Sequence, residues 1–168
     1  MAGVRVSIDL SGVTLNGHPF NTAGPLQPYV EALGDQPETK DAGDQPAPHG
    51  HRNNQFHLFH ELGIYLTEHH AKRVIESVNI ALEPMECPAT PSRPFSGTLS
   101  IAGVEIKRGM TETDYPSSAA IKFESQLAGS WRSVGKGLPI YLSTIGLKLP
   151  GQRRRSRARS IVLVSVCF

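Results

Sequence analysis

The sequence has few of the residues that mark a common class of protein. It contains two cysteines in 168 residues, too few for a disulfide framework, so we expect free thiols in a reducing cytoplasm. The longest apolar runs have the length of a strand, which argues against a membrane-spanning helix. The amino terminus lacks the charged and apolar regions of a secretory signal. A formal net charge of +2 does not by itself indicate a nucleic-acid-binding protein. We therefore expect a cytoplasmic globular protein.

Catalytic motifs are also missing. Neither cysteine has a recognisable catalytic context, and no serine lies in a G-x-S-x-G motif. Residues 129–137, Gly-Ser-Trp-Arg-Ser-Val-Gly-Lys-Gly, resemble a phosphate-binding loop. Their glycine spacing is one residue too long, and Gly137 replaces the hydroxyl residue that would bind magnesium. We interpret this segment as a glycine-rich connector and predict that the protein is not an enzyme and needs no cofactor.

The sequence does contain an internal repeat. Residues 13–20 (VTLNGHPF) align with residues 99–106 (LSIAGVEI) at a shift of 86, and residues 78–82 align with 164–168 at the same shift. Between these matches, residues 59–66 align with 142–149 at a shift of 83, which pairs Gly63 with Gly146. Three matches in the same order favour duplication over chance.

Local patterns predict the elements of each repeat. Alternating apolar residues predict strands. Asn16-Gly17 and Ala102-Gly103 are each expected to form the two-residue turn of a hairpin, because such turns need positive φ angles. Residues 25–34 place apolar side chains at spacings of three and four, which predicts a short helix ending at Gly34. A matching helix near residue 111 is predicted from the repeat alone, since Pro116 interrupts it.

These patterns together predict the α+β class. We expect a first repeat over residues 1–84, a proline-rich linker over 85–95 and a second repeat over 96–168. Each repeat would contain an antiparallel sheet with a hairpin and a short helix or helical loop, and the two would pack as one compact body.

A histidine-rich segment suggests a metal site as one alternative. Six of the seven histidines lie between residues 49 and 70, and imidazole with carboxylate is a suitable donor set for zinc. The spacing does not match the familiar helical metal motifs. In the repeat alignment His57, His60 and Glu61 correspond to Ile140, Ser143 and Thr144. Because the second half has other residue types at these positions, the fold does not need the histidines and the glutamate. The candidates are His57, His60, Glu61, His69 and His70.

His57, His60 and Glu61 are also candidates for contact with a partner protein, and two further features join them. An arginine cluster precedes the last predicted strand and could hold an anionic ligand or nucleic acid, or form a solvated loop tip. No run of aromatic residues accompanies it, which makes nucleic acid the weaker interpretation. Trp131, on the predicted connector, could anchor an interface. The arginines are Arg153, Arg154, Arg155, Arg157 and Arg159.

Residues 54–65 (NQFHLFHELGIY) and 94–106 (PFSGTLSIAGVEI) resemble uncharacterised bacterial proteins of unknown function. Some such families resemble the immunity proteins that neutralise toxins exchanged between bacteria. The doubled α+β plan is also similar to the beta-lactamase inhibitor protein, whose two repeats form one concave binding sheet; this is a likeness of fold only. The resemblance implies a protein-binding or inhibitor role, with a toxin or enzyme as partner. The alternatives are a metal-dependent hydrolase using the His49–His70 segment, and anion or nucleic-acid binding through Arg153–Arg159.

Overall fold

The computed structural model describes residues 3–41, 54–84, 89–126, 129–146 and 159–168. Within these residues the chain forms strands and a single helix. The elements are β1 (Arg5–Asp9), β2 (Gly12–Leu15), β3 (His18–Phe20), α1 (Gln27–Leu33), β4 (Glu38–Asp41), β5 (Asn54–Phe59), β6 (Ile64–His69), β7 (Val74–Ala81), β8 (Thr98–Ile101), β9 (Val104–Ile106), β10 (Lys122–Ser125), β11 (Ser130–Val134), β12 (Ile140–Gly146) and β13 (Arg159–Cys167).

The strands form two sheets, and each sheet takes strands from both halves of the chain. The smaller sheet has the order β3-β2-β1-β8-β9, and the larger has the order β10-β11-β12-β13-β7-β6-β5-β4. Strand β1 pairs with β8 in parallel, whereas β7 and β13 pair antiparallel at the centre of the larger sheet. Strand pairing thus joins the two halves in both sheets. The predicted division into residues 1–84 and 96–168 stays a prediction.

The α+β prediction is wrong, because the described part of the chain is mostly β-structure with one helix. Helix α1 forms where the apolar stripe predicted it, and Gly34 ends it with a φ of 68°. The second predicted helix is replaced by turns over residues 111–121. Pro116 has no amide proton to donate, and the Asp114 carboxylate accepts hydrogen bonds from the amide and hydroxyl of Thr111, which favours a turn.

The two sheets share one apolar core. The core cluster takes alternate residues from the smaller sheet and from the larger sheet, so the two sheets pack with one face of each turned inward. Helix α1 adds Tyr29, Val30 and Leu33 to the same cluster. The buried strand residues include Val6, Ile8, Leu99 and Ile101 in the smaller sheet, and Leu66, Val78, Ile80, Leu142, Val164 and Val166 in the larger one.

The strand registers contain the same shift of 86 residues as the sequence. In the smaller sheet Ser7 lies between Thr14 and Ser100, whose numbers differ by 86. In the larger sheet the middle pair of the β7–β13 ladder is Asn79 with Ser165, which also differ by 86. Rotating either sheet by 180° about an axis that passes through its row, perpendicular to the sheet, therefore exchanges residues that the sequence alignment had paired.

Hydrogen bonds outside the regular ladders obey the same relation. The amide of Leu82 donates to the carbonyl of Val162, and the amide of Phe168 donates to the carbonyl of Glu76, each at 2.8 Å. The two donors, Leu82 and Phe168, differ by 86 in residue number, and so do the two acceptors, Glu76 and Val162. Glu76 and Val162 are the extra residues where the register shifts in β7 and β13, so both strands bulge at matching places.

The middle match of the sequence alignment, Gly63 with Gly146, is wrong. The carbonyl of Gly63 accepts a hydrogen bond from Ala81, and the carbonyl of Pro139 accepts one from Cys167. Because Ala81 and Cys167 differ by 86, the counterpart of Gly63 is Pro139. Gly146 lies instead at the end of β12. The connections between the strands differ in length between the halves, so a nearly constant shift cannot align these strands.

The same correction changes the counterpart of His57. His57 pairs with Leu66, which pairs with Val78. In the second half Trp131 pairs with Leu142, which pairs with Val164. Since Val78 and Val164 are related by the shift, Trp131 occupies the place of His57. The alignment of His57, His60 and Glu61 with Ile140, Ser143 and Thr144 is therefore wrong.

Candidate functional site

His57 belongs to a buried polar network. His57 on β5 and Glu68 on β6 are each 2% exposed, and His57 Nε2 lies 2.6 Å from Glu68 Oε2. On the other side of the ring, Thr39 Oγ1 from the neighbouring strand β4 lies 2.9 Å from His57 Nδ1. The Arg73 guanidinium stands 2.8 Å from Glu68 Oε1 as an ion pair without hydrogen-bond alignment. A polar network thus closes one end of the core under the edge of the larger sheet.

Strand pairing explains why these side chains meet. Thr39 lies directly opposite His57, and His57 is opposite Leu66, so all three lie on the face turned toward the smaller sheet. Glu68 follows the register shift and lies on the same face. Its counterpart in the second half is Thr144, since Glu68 pairs with Ile75 and Thr144 with Ile161. The second half has no charged pair at this place.

The order threonine, histidine, carboxylate resembles a nucleophile with its base and orienting group. Acyl transfer would also need a cavity at the threonine and N–H donors for the oxyanion. None of the three described cavities is lined by Thr39, His57 or Glu68. We interpret the network as structural. His57 is buried, so it does not lie where a partner protein could contact it.

His60 and Glu61 lie in the turn after β5 and make separate contacts. The Ser92 amide donates to His60 Nδ1 at 3.0 Å, so the ring proton is on Nε2, which donates to the Glu38 carboxylate at 2.6 Å. Glu61 forms an exposed ion pair with Arg93. Both contacts hold the turn against neighbouring segments. Neither His60 nor Glu61 contacts the polar network of His57.

The His60 hydrogen bond is expected to control the titration of Glu38. That bond, with a smaller contribution from Lys40, holds the pKa of Glu38 below its ordinary value of 4.5. Because the bond favours the carboxylate, the stabilisation is present above that ordinary value and is lost as the pH falls through the lowered pKa. Replacing His60 with alanine should move the pKa of Glu38 up toward 4.5, as measured by carboxyl NMR chemical shifts. An unchanged pKa in His60→Ala would contradict the assignment.

The histidines do not converge among the residues that the structure describes. His69 ends β6 and His70 lies in the following turn, where the Lys72 amide donates to His69 Nδ1 at 3.2 Å. Residues 49 and 51 lie outside the described ranges. Within those ranges no three side chains of histidine, cysteine, aspartate or glutamate are arranged to hold a metal ion.

The arginine cluster is only partly described. Arg153, Arg154, Arg155 and Arg157 lie outside the described residues, and Arg159 begins β13. The Arg159 amide donates to Glu112 Oε2 at 2.9 Å. Arg159 is the counterpart of Arg73, since the two residues differ by 86 and occupy matching places before the bulges. Ligand binding by the cluster stays a prediction.

Trp131 lies on a strand and not on a connector, so that part of the sequence interpretation is wrong. Strand β11 runs from Ser130 to Val134, between Gly129 and Gly135, which have φ angles of 86° and 129°. Trp131 and Ser133 face the core side, whereas Arg132 and Val134 face outward. This alternation has the period of a strand, but the surrounding glycines led to the prediction of a connector. Half-buried Trp131 lines a cavity of ≈ 270 Å³ near this end of the larger sheet.

The opposite face of the larger sheet has an uncharged centre. We call outward face the half-exposed residues of β6, β7, β13 and β12 that alternate with the core residues; none of them is charged. Charged residues of this face stand nearer the edges of the sheet, Glu38 and Lys40 on β4 and Arg132 and Glu124 on β11 and β10. The outward face consists of Thr67, Ser77, Leu163, Ser165, Cys167, Tyr141 and Ser143.

The half-buried Glu76 at the bulge borders this face. Burial, and secondarily the Glu76 carboxylate, raises the pKa of the Cys167 thiol, which is free. Cys167 is therefore a neutral thiol at physiological pH. Sequence reasoning missed the outward face, although the alternation of hydroxyl and apolar residues in residues 163–167 was a visible signal.

Comparison with known protein families gives one match. Residues 5–115 match the DUF7738 family, a domain of unknown function, and this match crosses the boundary predicted between the halves. The expectation of an uncharacterised family is thereby confirmed. No curated protein and no solved structure matches the chain. No helix within the described ranges is long and apolar enough to cross a membrane.

Proposed function

This chain belongs to the DUF7738 family of domains of unknown function, and on that premise we propose that it is a non-enzymatic protein that binds another protein. The binding surface is the outward face of the larger sheet. The partner is a toxin or an enzyme, which this protein inhibits in the manner of immunity proteins. Binding takes place in the cytoplasm.

The distribution of charge on the larger sheet carries this proposal. Four neighbouring strands, β6, β7, β13 and β12, contribute hydroxyl, thiol, aromatic and aliphatic side chains, and the charged residues of this face stand nearer the two edges of the sheet, on β4, β11 and β10. Protein interfaces have this pattern, with few charges at the centre and a polar rim. A sheet face that only meets water normally carries lysine and glutamate at such positions.

The rigidity of the sheet also supports the proposal. The outward face crosses the β7–β13 pair, where five residue pairs join the two halves. Asn79 lies on the same side of the sheet, is 5% exposed, and donates to Tyr65 O, Thr67 Oγ1 and Ser77 Oγ. A surface held by backbone ladders loses little conformational entropy on binding. We infer that the two halves arose by duplication, because the shift of 86 recurs in both sheets.

A single lysine on the outward face should weaken binding strongly. Ser165 lies at the centre of the face, opposite Asn79, and is half-buried. Ser165→Lys places a charge where the partner would exclude water, which we expect to weaken binding at least tenfold, about 1.4 kcal/mol. The measurement is quantitative capture from an extract of the native host with wild-type and variant chains as bait.

The matched control is Ser118→Lys, which adds the same charge at an exposed residue away from the outward face. A specific partner should be recovered with wild type and Ser118→Lys and lost with Ser165→Lys. If both variants recover every protein that the wild type recovers, the outward face is not the binding surface.

A further inference from the structure

The cavity beside Trp131 is built differently from the matching place in the first half. On α1, Tyr29 is 1% exposed and stacks on Phe20, with ring centroids 4.0 Å apart. Tyr115 is its counterpart, since the two residues differ by 86. The described residues of the second half form no helix, and Ile106 stands at the place of Phe20. Tyr115 is therefore without a stacking partner from β9 and meets Phe123 instead.

Three aromatic rings consequently line one concave site. Tyr115 and Phe123 meet edge to face, with centroids 5.1 Å apart and an interplanar angle of 86°. Trp131 lines the same cavity. Phe123 and Trp131 lie on neighbouring strands of the same face, since Phe123 is opposite Ser133 and Trp131 is opposite Ser125.

One carboxylate and one ammonium group complete the lining. Glu112 lines the cavity, and its Oε2 accepts a hydrogen bond from the Arg159 amide at 2.9 Å, which holds the carboxylate in place. Lys122 lines the cavity too, but its ammonium group donates to the Ser117 carbonyl. Burial raises the pKa of Tyr115, so its ring carries no negative charge at neutral pH.

We propose that this cavity binds an alkylated ammonium group, such as the trimethylammonium group of choline or of trimethyllysine. The rings of Tyr115, Phe123 and Trp131 supply cation–π attraction, and the Glu112 carboxylate supplies the opposite charge. Methyl groups on the nitrogen fill apolar space against Ile121 and Leu142. An aromatic box with one acidic side chain is the arrangement that recognises quaternary ammonium groups.

The test compares choline with its neutral isostere, 3,3-dimethylbutan-1-ol, by calorimetry on the full chain at constant ionic strength. Trp131 is the one tryptophan of the sequence, so its fluorescence reports occupancy of this cavity. We expect choline to bind about fivefold tighter than the isostere. Equal or tighter binding of the neutral isostere, or no saturable binding of choline below about 10 mM, would overturn the proposal.

Variants with opposite expected effects separate charge recognition from simple filling of the cavity. Glu112→Gln keeps an acceptor for the Arg159 amide and should weaken choline about fivefold without changing binding of the isostere. Lys122→Met removes the competing positive charge and should tighten choline binding a few-fold. Lys107→Met, at an exposed residue outside the cavity, is the matched control and should change nothing. Equal effects of Glu112→Gln on both probes would contradict the proposal.

Free trimethyllysine, titrated in the same way, distinguishes a protein-borne ammonium group from a small molecule. Tighter binding of trimethyllysine than of choline assigns the site to modified proteins, and the reverse assigns it to small metabolites. The lining residues belong to the core side of β10, β11 and β12 and to the segment before them. Absence of choline binding would therefore leave the outward face and its proposed partner unaffected.

Discussion

Replacing Glu68 with alanine is expected to lower the free energy of unfolding by about 3–5 kcal/mol. Glu68 is 2% exposed, and its carboxylate meets His57 at 2.6 Å and Arg73 at 2.8 Å. Removing Glu68 leaves the His57 ring, 2% exposed, without its carboxylate partner, whereas Arg73, 64% exposed, stays in contact with water. Urea unfolding at neutral pH, followed by the fluorescence of Trp131, measures the change.

Two comparisons control this prediction. Glu105→Ala removes an exposed carboxylate 3.5 Å from Lys107 and should cost less than about 0.5 kcal/mol. The double variant His57→Leu with Glu68→Leu should be more stable than Glu68→Ala alone, because it replaces both buried polar groups with apolar ones. A loss below about 1 kcal/mol in Glu68→Ala would show that the network does not hold this end of the core.

Replacing Gly63 with alanine is expected to cost about 3 kcal/mol or more in unfolding free energy. Gly63 has a φ of 67°, in the region that disfavours a side chain, and an added Cβ would lie 2.1 Å from the backbone nitrogen of Phe95. Relief of that clash would have to shift backbone, since the obstructing atoms belong to Pro94 and Phe95. Thermal and urea unfolding of the variant give the cost.

Gly103→Ala is the matched control, because Gly103 has a φ of 81° and no atom within 4 Å of an added Cβ. Only the conformational cost of about 1–2 kcal/mol should remain there. If the two variants lose the same stability, the close contact between the Gly63 turn and the segment at Phe95 is not present in solution.

Features that depend on neighbouring residues were predictable from the sequence. The turns at Asn16-Gly17 and Ala102-Gly103 are confirmed, with positive φ at all four residues and hairpin pairing on either side. Helix α1 is confirmed with its end at Gly34. In both cases a backbone conformation that few residues tolerate coincides with an apolar pattern of matching period.

Features that depend on pairing between distant strands were not predictable. The correspondence of His57 with Trp131 follows from cross-strand registers, and connections of different length hide it in the linear sequence. Burial of His57 was ambiguous, because Leu58 and Phe59 are both apolar and point to opposite faces. The cavity at Tyr115 depends on a helix that is missing from the second half, where the repeat predicted one.

The differences between the halves are where a specific activity is expected. Where the halves agree, at the two hairpins and the matching bulges, turns and packing explain the residues. Where they differ, the first half has the buried network of His57 and Glu68, and the second half has the aromatic cavity beside Trp131. We expect the first to stabilise the fold, and the second is the cavity for which we propose a ligand.

Amide hydrogen exchange, with and without the captured partner, tests the proposed binding surface most directly. We expect added protection in β7, β12 and β13, three of the four strands whose residues form the outward face. Protection should be unchanged in the hairpins of the smaller sheet, β2–β3 and β8–β9. Protection confined to the smaller sheet or to residues 153–159, with β7, β12 and β13 unchanged, would contradict it.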